Sequence, residues 1–381
     1  MQFPASFHLY LDHAATTPVA PEVAQAMLAC LTQTGVYGNA ASQLHTFGIA
    51  AKALIDTARE QVAALIGAQV KEIIWTSGAT EAINLALKGV ARMYGQQRRH
   101  IITVKTEHKA VLDCCEALEK EGFHLTYLSP LPSGLISLED LTLALSEDTL
   151  LVSIMHMNNE TGVIQDIHAI ADLLAPKHIL FHVDAAQSIG KLPIDVSAHK
   201  IDLLSMSAHK IYGPKGVGAL YVRQKPRVKL QALIHGGGHE QGMRSGTLAT
   251  HQIVGMGEAL RLAGQRMRED VAWLAQLRAR FLNSLEVNYQ LNAQGESIYP
   301  GLLNLSFENI RAKNFIEQLP ELAVTTGSAC FASGIEPSYV LRAMGIKSPR
   351  LEQSLRISFG RHQTLAEMDF AAQLINARLK R

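Results

Sequence analysis

Charge is the first thing this chain has little of. Only 18% of its 381 residues are Asp, Glu, Lys or Arg, and the two signs nearly cancel, to a net charge of +1. That removes the electrostatic reason to expect nucleic acid or an anionic membrane as a direct partner. Long apolar runs are also missing. Although 48% of the chain is hydrophobic, no run approaches the ~20 residues of a membrane span. The N-terminal MQFPASFHLYLDHAATT has neither the cationic start nor the apolar core of a signal peptide. Cysteine is scarce, with four residues, Cys30, Cys114, Cys115 and Cys330. Adjacent Cys114 and Cys115 suit one another poorly as disulfide partners, and no C-x-x-C metal pattern occurs. A reducing cytoplasm is the simplest expectation. Repeats, low-complexity tracts and charge blocks are absent too.

What is present reads as one large α/β domain and a smaller one, since single cores stop growing near ~250–300 residues. Between about residues 70 and 225, short β-branched runs alternate with helical patterns. The strands are predicted at Ile73–Thr76, Ile101–Val104, Leu125–Leu128, Leu150–Met155, Ile179–Val183, Leu203–Met206 and Val217–Val222. Helices are predicted at Ala79–Tyr94, Ala110–Gly122 and Ile167–Leu174. Such alternation implies a mostly parallel seven-stranded sheet covered on both faces, with ligands beyond the strands' C-terminal ends. One long helix is predicted over 251–285, its apolar face carrying Val271, Leu274, Leu277, Phe281 and Leu285. Further strands follow at Leu302–Phe307, Leu322–Thr325 and Leu355–Ser358, with helices near 312–319, 336–344 and 364–379. The gap at 286–301 is expected to be a surface excursion. The division drawn from this pattern is 14–256 for the large domain, with 1–13 and 257–381 forming the small one.

Several segments carry chemistry. Cys330 lies in TTGSACFASG, among small residues with glycines three before and four after it. That composition suits a thiol that reaches and moves, although such a cysteine is also often incidental. Lys210, in SAHKIYGPKG, follows a predicted strand and precedes a Gly/Pro turn, where a fixed amine could form a Schiff base with a carbonyl cofactor. A solvated turn lysine is the plain alternative. Ser207 and His209 flank it as donors for an anion. Asp184, in HVDAAQ, ends a strand, either as partner to a protonated ring nitrogen or as an ordinary helix cap. Gln187 lies one turn on. Thr80, in TSGATE, opens a helix whose N-terminal donors favour phosphate, or which is merely capped.

His108 follows another strand and could stack on a ring and move protons, while structural histidines are common. Asn159, in NNETG, could meet a ring oxygen or substrate. Arg356 could bind a carboxylate bidentately, unless it is a surface arginine on an edge strand. HGGGHEQGMRSGT, ending at Thr247, reads as a donor-rich loop able to complete an anion site, its own or a neighbouring subunit's. Its two histidines lack a third ligand of matching spacing, so no metal is expected.

Together these segments resemble the cysteine desulfurases of the NifS/IscS type, within the class V aminotransferase group. The resemblance runs from YLDHAATTP (10–18) to RISFGR (356–361), nearly the whole chain. SGATE is weakly specific, but HVDAAQSIGKLPID, SAHKIYGPKG, HGGGHEQGMRSGT and TGSAC…EPSYVLRAMG are highly specific in combination.

The resemblance implies the pyridoxal-phosphate-dependent fold type I and a homodimer. It implies Lys210 as the lysine bound to pyridoxal 5'-phosphate, Asp184 as the ring-nitrogen partner, Gln187 at the ring hydroxyl, and His108 stacked and active in proton transfer. Thr80, Ser207 and His209 would hold the phosphate, with Thr247 reaching it from the partner subunit. Asn159 and Arg356 would orient substrate. Cys330, on a mobile loop, would take sulfur from L-cysteine, leaving alanine. A sulfur-acceptor protein would follow, either an iron–sulfur scaffold or a thiolation carrier. The TGSAC loop suggests the long-loop group, which delivers sulfur directly. Ala208 stands where the family usually has Gly, a tolerable change. The sequence ends about one helix beyond RISFGR, without the longer tail that docks the scaffold in housekeeping members, which puts that docking in doubt. Rival readings are an aminotransferase, a selenocysteine lyase, or a non-catalytic partner protein on the same fold.

Overall fold

The computed structural model describes residues 7–327 and 337–380. Its centre is a sheet of seven strands, β1 (Ile73–Thr76), β2 (His100–Val104), β3 (His124–Leu128), β4 (Thr149–Met155), β5 (Leu180–Asp184), β6 (Leu203–Ser207) and β7 (Gly218–Val222). In space they run β1-β7-β6-β5-β4-β2-β3. Only β7 is antiparallel to its neighbours, and the other pairings are parallel.

Each strand is a short apolar run because both faces are covered. In β4 all residues of TLLVSIM are buried. Alternation then sorts the side chains. Ile102, Val152, Phe181 and Leu204 pack on one face with the helices Thr46–Leu65 and Ile167–Leu174. Ile101, Leu151, Leu203 and Leu220 pack on the other with Ala79–Tyr94 and Lys109–Lys120. The seven strands predicted for this sheet all occur, with ends displaced by at most one residue.

The helix Thr250–Ser284 joins two cores. Ile253, Met256, Ala259 and Leu260 near its start pack with the sheet, while Leu274, Leu277 and Phe281 pack in a second cluster. That cluster surrounds a three-stranded antiparallel sheet in the order Ser354–Ser358, Leu302–Phe307, Tyr289–Leu291. Leu9 and Leu11 also belong to it, because Leu9–Tyr10 pairs in parallel with Leu322–Ala323.

The expectation of a surface excursion at 286–301 is corrected. Tyr289–Leu291 forms the edge strand, Asn292 and Tyr299 are buried, and Val163 pairs with Ile298. Asn292 explains the burial of this polar segment, since its amide bonds Asn304 and Ser354 and its oxygen accepts from Ser306 and Arg350. The strand predicted at Leu322–Thr325 is shorter, and only Thr325 continues it, through an isolated bridge to Arg356. Among the described residues, no helix is long and apolar enough to cross a membrane.

Candidate active site

The parallel strands β1, β2, β4, β5 and β6 all end at one rim of the sheet, and a cleft of about 510 Å³ opens there. Nine of the residues singled out in the sequence line it: Thr80, His108, Asn159, Asp184, Gln187, Ser207, His209, Lys210 and Arg356. Thr247 does not line the cleft and is exposed on its own chain. Cys330 lies outside the described residues, whereas Gly327 lines the cleft.

Lys210 closes a 3-10 turn, Ala208–Lys210, directly after β6. Its Nζ donates to the carbonyls of Ala14 (2.7 Å) and Ala15 (2.6 Å), which come from the far end of the sequence. The turn needs Gly213, because a Cβ there would lie 2.8 Å from the Ala208 carbonyl oxygen. Ala208 itself is fully buried and accommodated.

Asp184 ends β5, and its Oδ1 accepts from the Ala186 amide at 2.9 Å. Burial pushes its pKa up, while His108 and Lys210 pull the other way. The carboxylate therefore sits where a cation beside it would be strongly favoured.

His108 caps the helix Lys109–Lys120, and its Nδ1 accepts from the Ala110 amide at 3.1 Å. In the neutral ring that puts the proton on Nε2. Thr80 lies in the first turn of Ala79–Tyr94. A Cβ on the preceding Gly78 would meet nothing within 4 Å, so open space faces the orphan amides of this helix start. Burial lowers the His209 pKa to about 4, with Lys210, Lys215 and Lys191 adding to the effect. A neutral His209 then offers a ring N–H, and its Nδ1 lies 3.2 Å from Thr16 Oγ1.

Arg356 is 3% exposed, which rules out the surface-arginine reading. Its guanidinium pairs with Asp12 at 2.6 Å and donates to the Asn159 carbonyl at 3.0 Å. Its Nε and the Asn159 Oδ1 are buried without a hydrogen-bond partner among the described residues. Unpaired buried polar atoms are costly, so both point to a ligand that carries an acceptor and a donor. Gln187 is more committed than the sequence suggested. Its Nε2 donates to Ala14 O at 2.7 Å, and its Oε1 accepts from Lys191 at 3.1 Å.

Sequence reasoning missed several members of the site. The Asp12–Thr17 segment supplies Asp12 to Arg356 and the carbonyls to Lys210, a contact between chain ends that no local pattern reveals. Glu107 is fully buried beneath His108, and its Oε1 accepts from the Met155 amide at 2.6 Å. Burial holds its pKa well above the usual carboxylate range. Glu160, 1% exposed, accepts from Ser338, and its Oε2 would lie 2.7 Å from a Cβ on Gly327. Lys191 is half-buried against Gln187. Its one signal was position, four residues after Gln187 in HVDAAQSIGKLPID.

The sequence model described as Aminotransferase class-V matches residues 9–370. The chain belongs to the class-V aminotransferase family. Among members of this family, the chain is 54% identical over 375 residues to a protein of Proteus mirabilis (strain HI4320) named cysteine desulfurase IscS, covering 98% of this chain and 93% of that one. A solved structure of a NifS-like protein superposes with a TM-score of 0.92 at 36% identity, covering 98% of this chain and all of the other. Another solved structure, described as SspA in complex with cysteine, superposes with a TM-score of 0.84 at 39% identity, covering 93% of this chain and 99% of that one.

Proposed function

We propose that this chain is a pyridoxal 5'-phosphate-dependent cysteine desulfurase that converts L-cysteine to L-alanine and leaves the sulfur as a persulfide on Cys330. The observation that carries this is the meeting, in one cleft, of an amine, a buried carboxylate, a proton-carrying imidazole and a buried guanidinium with an unpartnered Nε, at Lys210, Asp184, His108 and Arg356.

The residues present fit the cofactor. The open space over Gly78, with Thr80, Ser207 and the neutral His209, would hold the phosphate. Asp184 would face the ring nitrogen, and that cation offsets the cost of the buried charge. When bound, pyridoxal phosphate supplies the electron sink that makes bonds around the substrate's α-carbon labile. Lys210 Nζ would hold the cofactor and, as a free amine, would carry the substrate's α-proton. His108, its Nδ1 tied to Ala110, offers the Nε2 proton at the ring face. Arg356 grips the substrate carboxylate through Nε and the guanidinium edge, and Asp12 fixes that group.

The Cys330 thiolate attacks the substrate sulfur. An S–S bond forms, the C–S bond breaks, the electron pair goes to the β-carbon, which takes up one proton, and return of the α-proton gives alanine. The other three cysteines suit this role poorly. Each is buried and burial raises its pKa, that of Cys114 to about 11, so each stays a thiol at neutral pH.

This reading includes a two-domain division at 14–256 and 1–13 with 257–381. It also includes a homodimer in which Thr247 completes the partner's phosphate site, cytoplasmic residence, and passage of the persulfide to an iron–sulfur scaffold or a thiolation carrier. Mass spectrometry of the protein after L-cysteine addition tests it: one added sulfur is expected on Cys330, with alanine in solution. A Cys330→Ser protein that consumes L-cysteine at the parent rate overturns the assignment. Arg356→Lys, which loses the bidentate fork, is expected to raise KM about 10²-fold with a smaller change in kcat, a loss of ~2–3 kcal/mol in carboxylate binding. Steady-state alanine assays at graded cysteine separate the two parameters.

A further inference from the structure

Lys191 is a half-buried lysine that the reaction above does not use. It follows β5 by a short turn through Gly190, whose φ of +69° and close approach to Ala263 (a Cβ would lie 2.8 Å from Ala263 Cβ) direct the chain back under the cleft. There Lys191 lines a small cavity of about 30 Å³ together with His13, Ala14, Gln187, Lys210 and Tyr299. Its Nζ donates to Gln187 Oε1 at 3.1 Å and lies 5.7 Å from the centre of the Tyr299 ring.

We infer that Lys191 is a positioning residue, which orients and polarises the Gln187 amide so that Gln187 offers an N–H, and not its oxygen, to the ring hydroxyl of the cofactor. The inference rests on the functional reading above. It follows from the donor inventory. The Ala14 carbonyl can only accept, which fixes Nε2 on it, and the lysine ammonium can only donate. With Oε1 on Lys191 and Nε2 on Ala14 O, both contacts are satisfied; a flipped amide would set donor against donor and acceptor against acceptor. The second N–H of Nε2 is then the donor Gln187 has left for the cleft it lines. A donor on Oε1 draws electron density from the amide and strengthens that N–H, all the more in a buried network.

The charged groups around Lys191 fit a tuned position. Lys210 and Arg361 both disfavour its charge after burial, bringing its pKa to about 7. Asp270 from the long helix offsets Arg361 at 2.9 Å, and the neighbouring His13 is pushed down to about 4, mainly by burial.

The test is a pH titration of the absorbance of the resting, lysine-bound cofactor, near ~420 nm, in the purified holoenzyme without substrate. An N–H on the ring oxygen stabilises its anion and so lowers the proton affinity of the adduct. Lys191→Met is expected to raise the titration midpoint by about one pH unit, a tenfold change in proton affinity. In a Gln187→Ala background, the same substitution is expected to shift it by less than a third of that. Lys191→Gln, which keeps a donor for Oε1 without the charge, gives a smaller shift in the same direction and serves the same cycle where the apolar variant does not fold. An unchanged midpoint in Lys191→Met overturns the inference. So does a shift that persists undiminished without Gln187, which would mean that Lys191 acts directly on Lys210. Absence of the band from the wild-type protein overturns the functional reading itself, and so is distinguishable from either.

Discussion

Lys210→Ala is expected to lower kcat by at least about 10³-fold, within the range general acid–base groups command and with loss of the covalent tether besides. Two measurements check it: the rate of alanine release, and the mass of the protein after borohydride, which should show no trapped cofactor. The geometry explains why no neighbour rescues the variant. Lys210 is presented by a turn at the very end of β6, and its Nζ already lies within 2.6–2.7 Å of two backbone carbonyls on the cleft wall. Of the other amines nearby, Lys191 is held by Gln187, and Lys215, which also lines the cleft, is exposed. The arrangement would be misread if Lys210→Ala kept the parental rate of alanine release.

Asp184→Asn is expected to cost about 10²-fold or more in turnover while making the cofactor-free protein more stable. The amide keeps the shape of the carboxyl but cannot hold a proton on a ring nitrogen by charge. Stability moves the other way because burial raises the folded-state pKa of Asp184 above the ordinary 3.8. For such a group, the stability of the protonated form is fully present below the unfolded pKa. It is lost as pH rises through the folded pKa, because ionisation is then easier in the unfolded chain. Near neutrality the empty protein carries this penalty and the Asn variant does not. Thermal melts of both proteins without cofactor, at pH 5 and pH 8, should show Asn ahead at the higher pH with a narrower gap at the lower. Equal melting temperatures at pH 8 would contradict it. With cofactor present, the order should reverse or close, since the ring cation compensates only the aspartate.

The central sheet was legible because both faces of its inner strands are covered, so strands such as Ile73–Thr76 and Thr149–Met155 are written as mainly apolar runs. Ala79–Tyr94 and Ile167–Leu174 were legible for a related reason, having one strongly apolar side. Thr46–Leu65 was harder to find. It buries Gly48, Ala51, Ala58 and Ala63, small residues that allow close packing against the long helix but leave a faint periodic signal. The segment 286–301 was misjudged because its polar residues suggested solvent, whereas Asn292 is satisfied by side chains more than ten residues away.

The site divides along the same line. Lys210, Asp184, His108 and Thr80 each stand at a junction where strand, turn and helix signals coincide, so their convergence followed from topology alone. Asp12, Glu107, Glu160 and Lys191 did not stand out, since each acts through a partner distant in sequence or is silent until its burial is known.

The threading of Asp12–Thr17 through the cleft bears on how the protein is made. Asp12 meets Arg356 across 344 positions of sequence, Ala14 and Ala15 receive Lys210, and Thr17 Oγ1 donates to the His209 carbonyl and accepts from the Tyr212 amide. Asp12–Thr17 must therefore wait until the segment that carries Arg356 has been made. Contacts of such long span form late, after their loop-closure cost has been met by the rest of the fold. A nascent chain could build the seven-stranded sheet while Arg356 is still unsynthesised, but it would have no finished place for an amino acid's carboxylate. Translation itself thus keeps the reactive centre incomplete until Arg356 has been made.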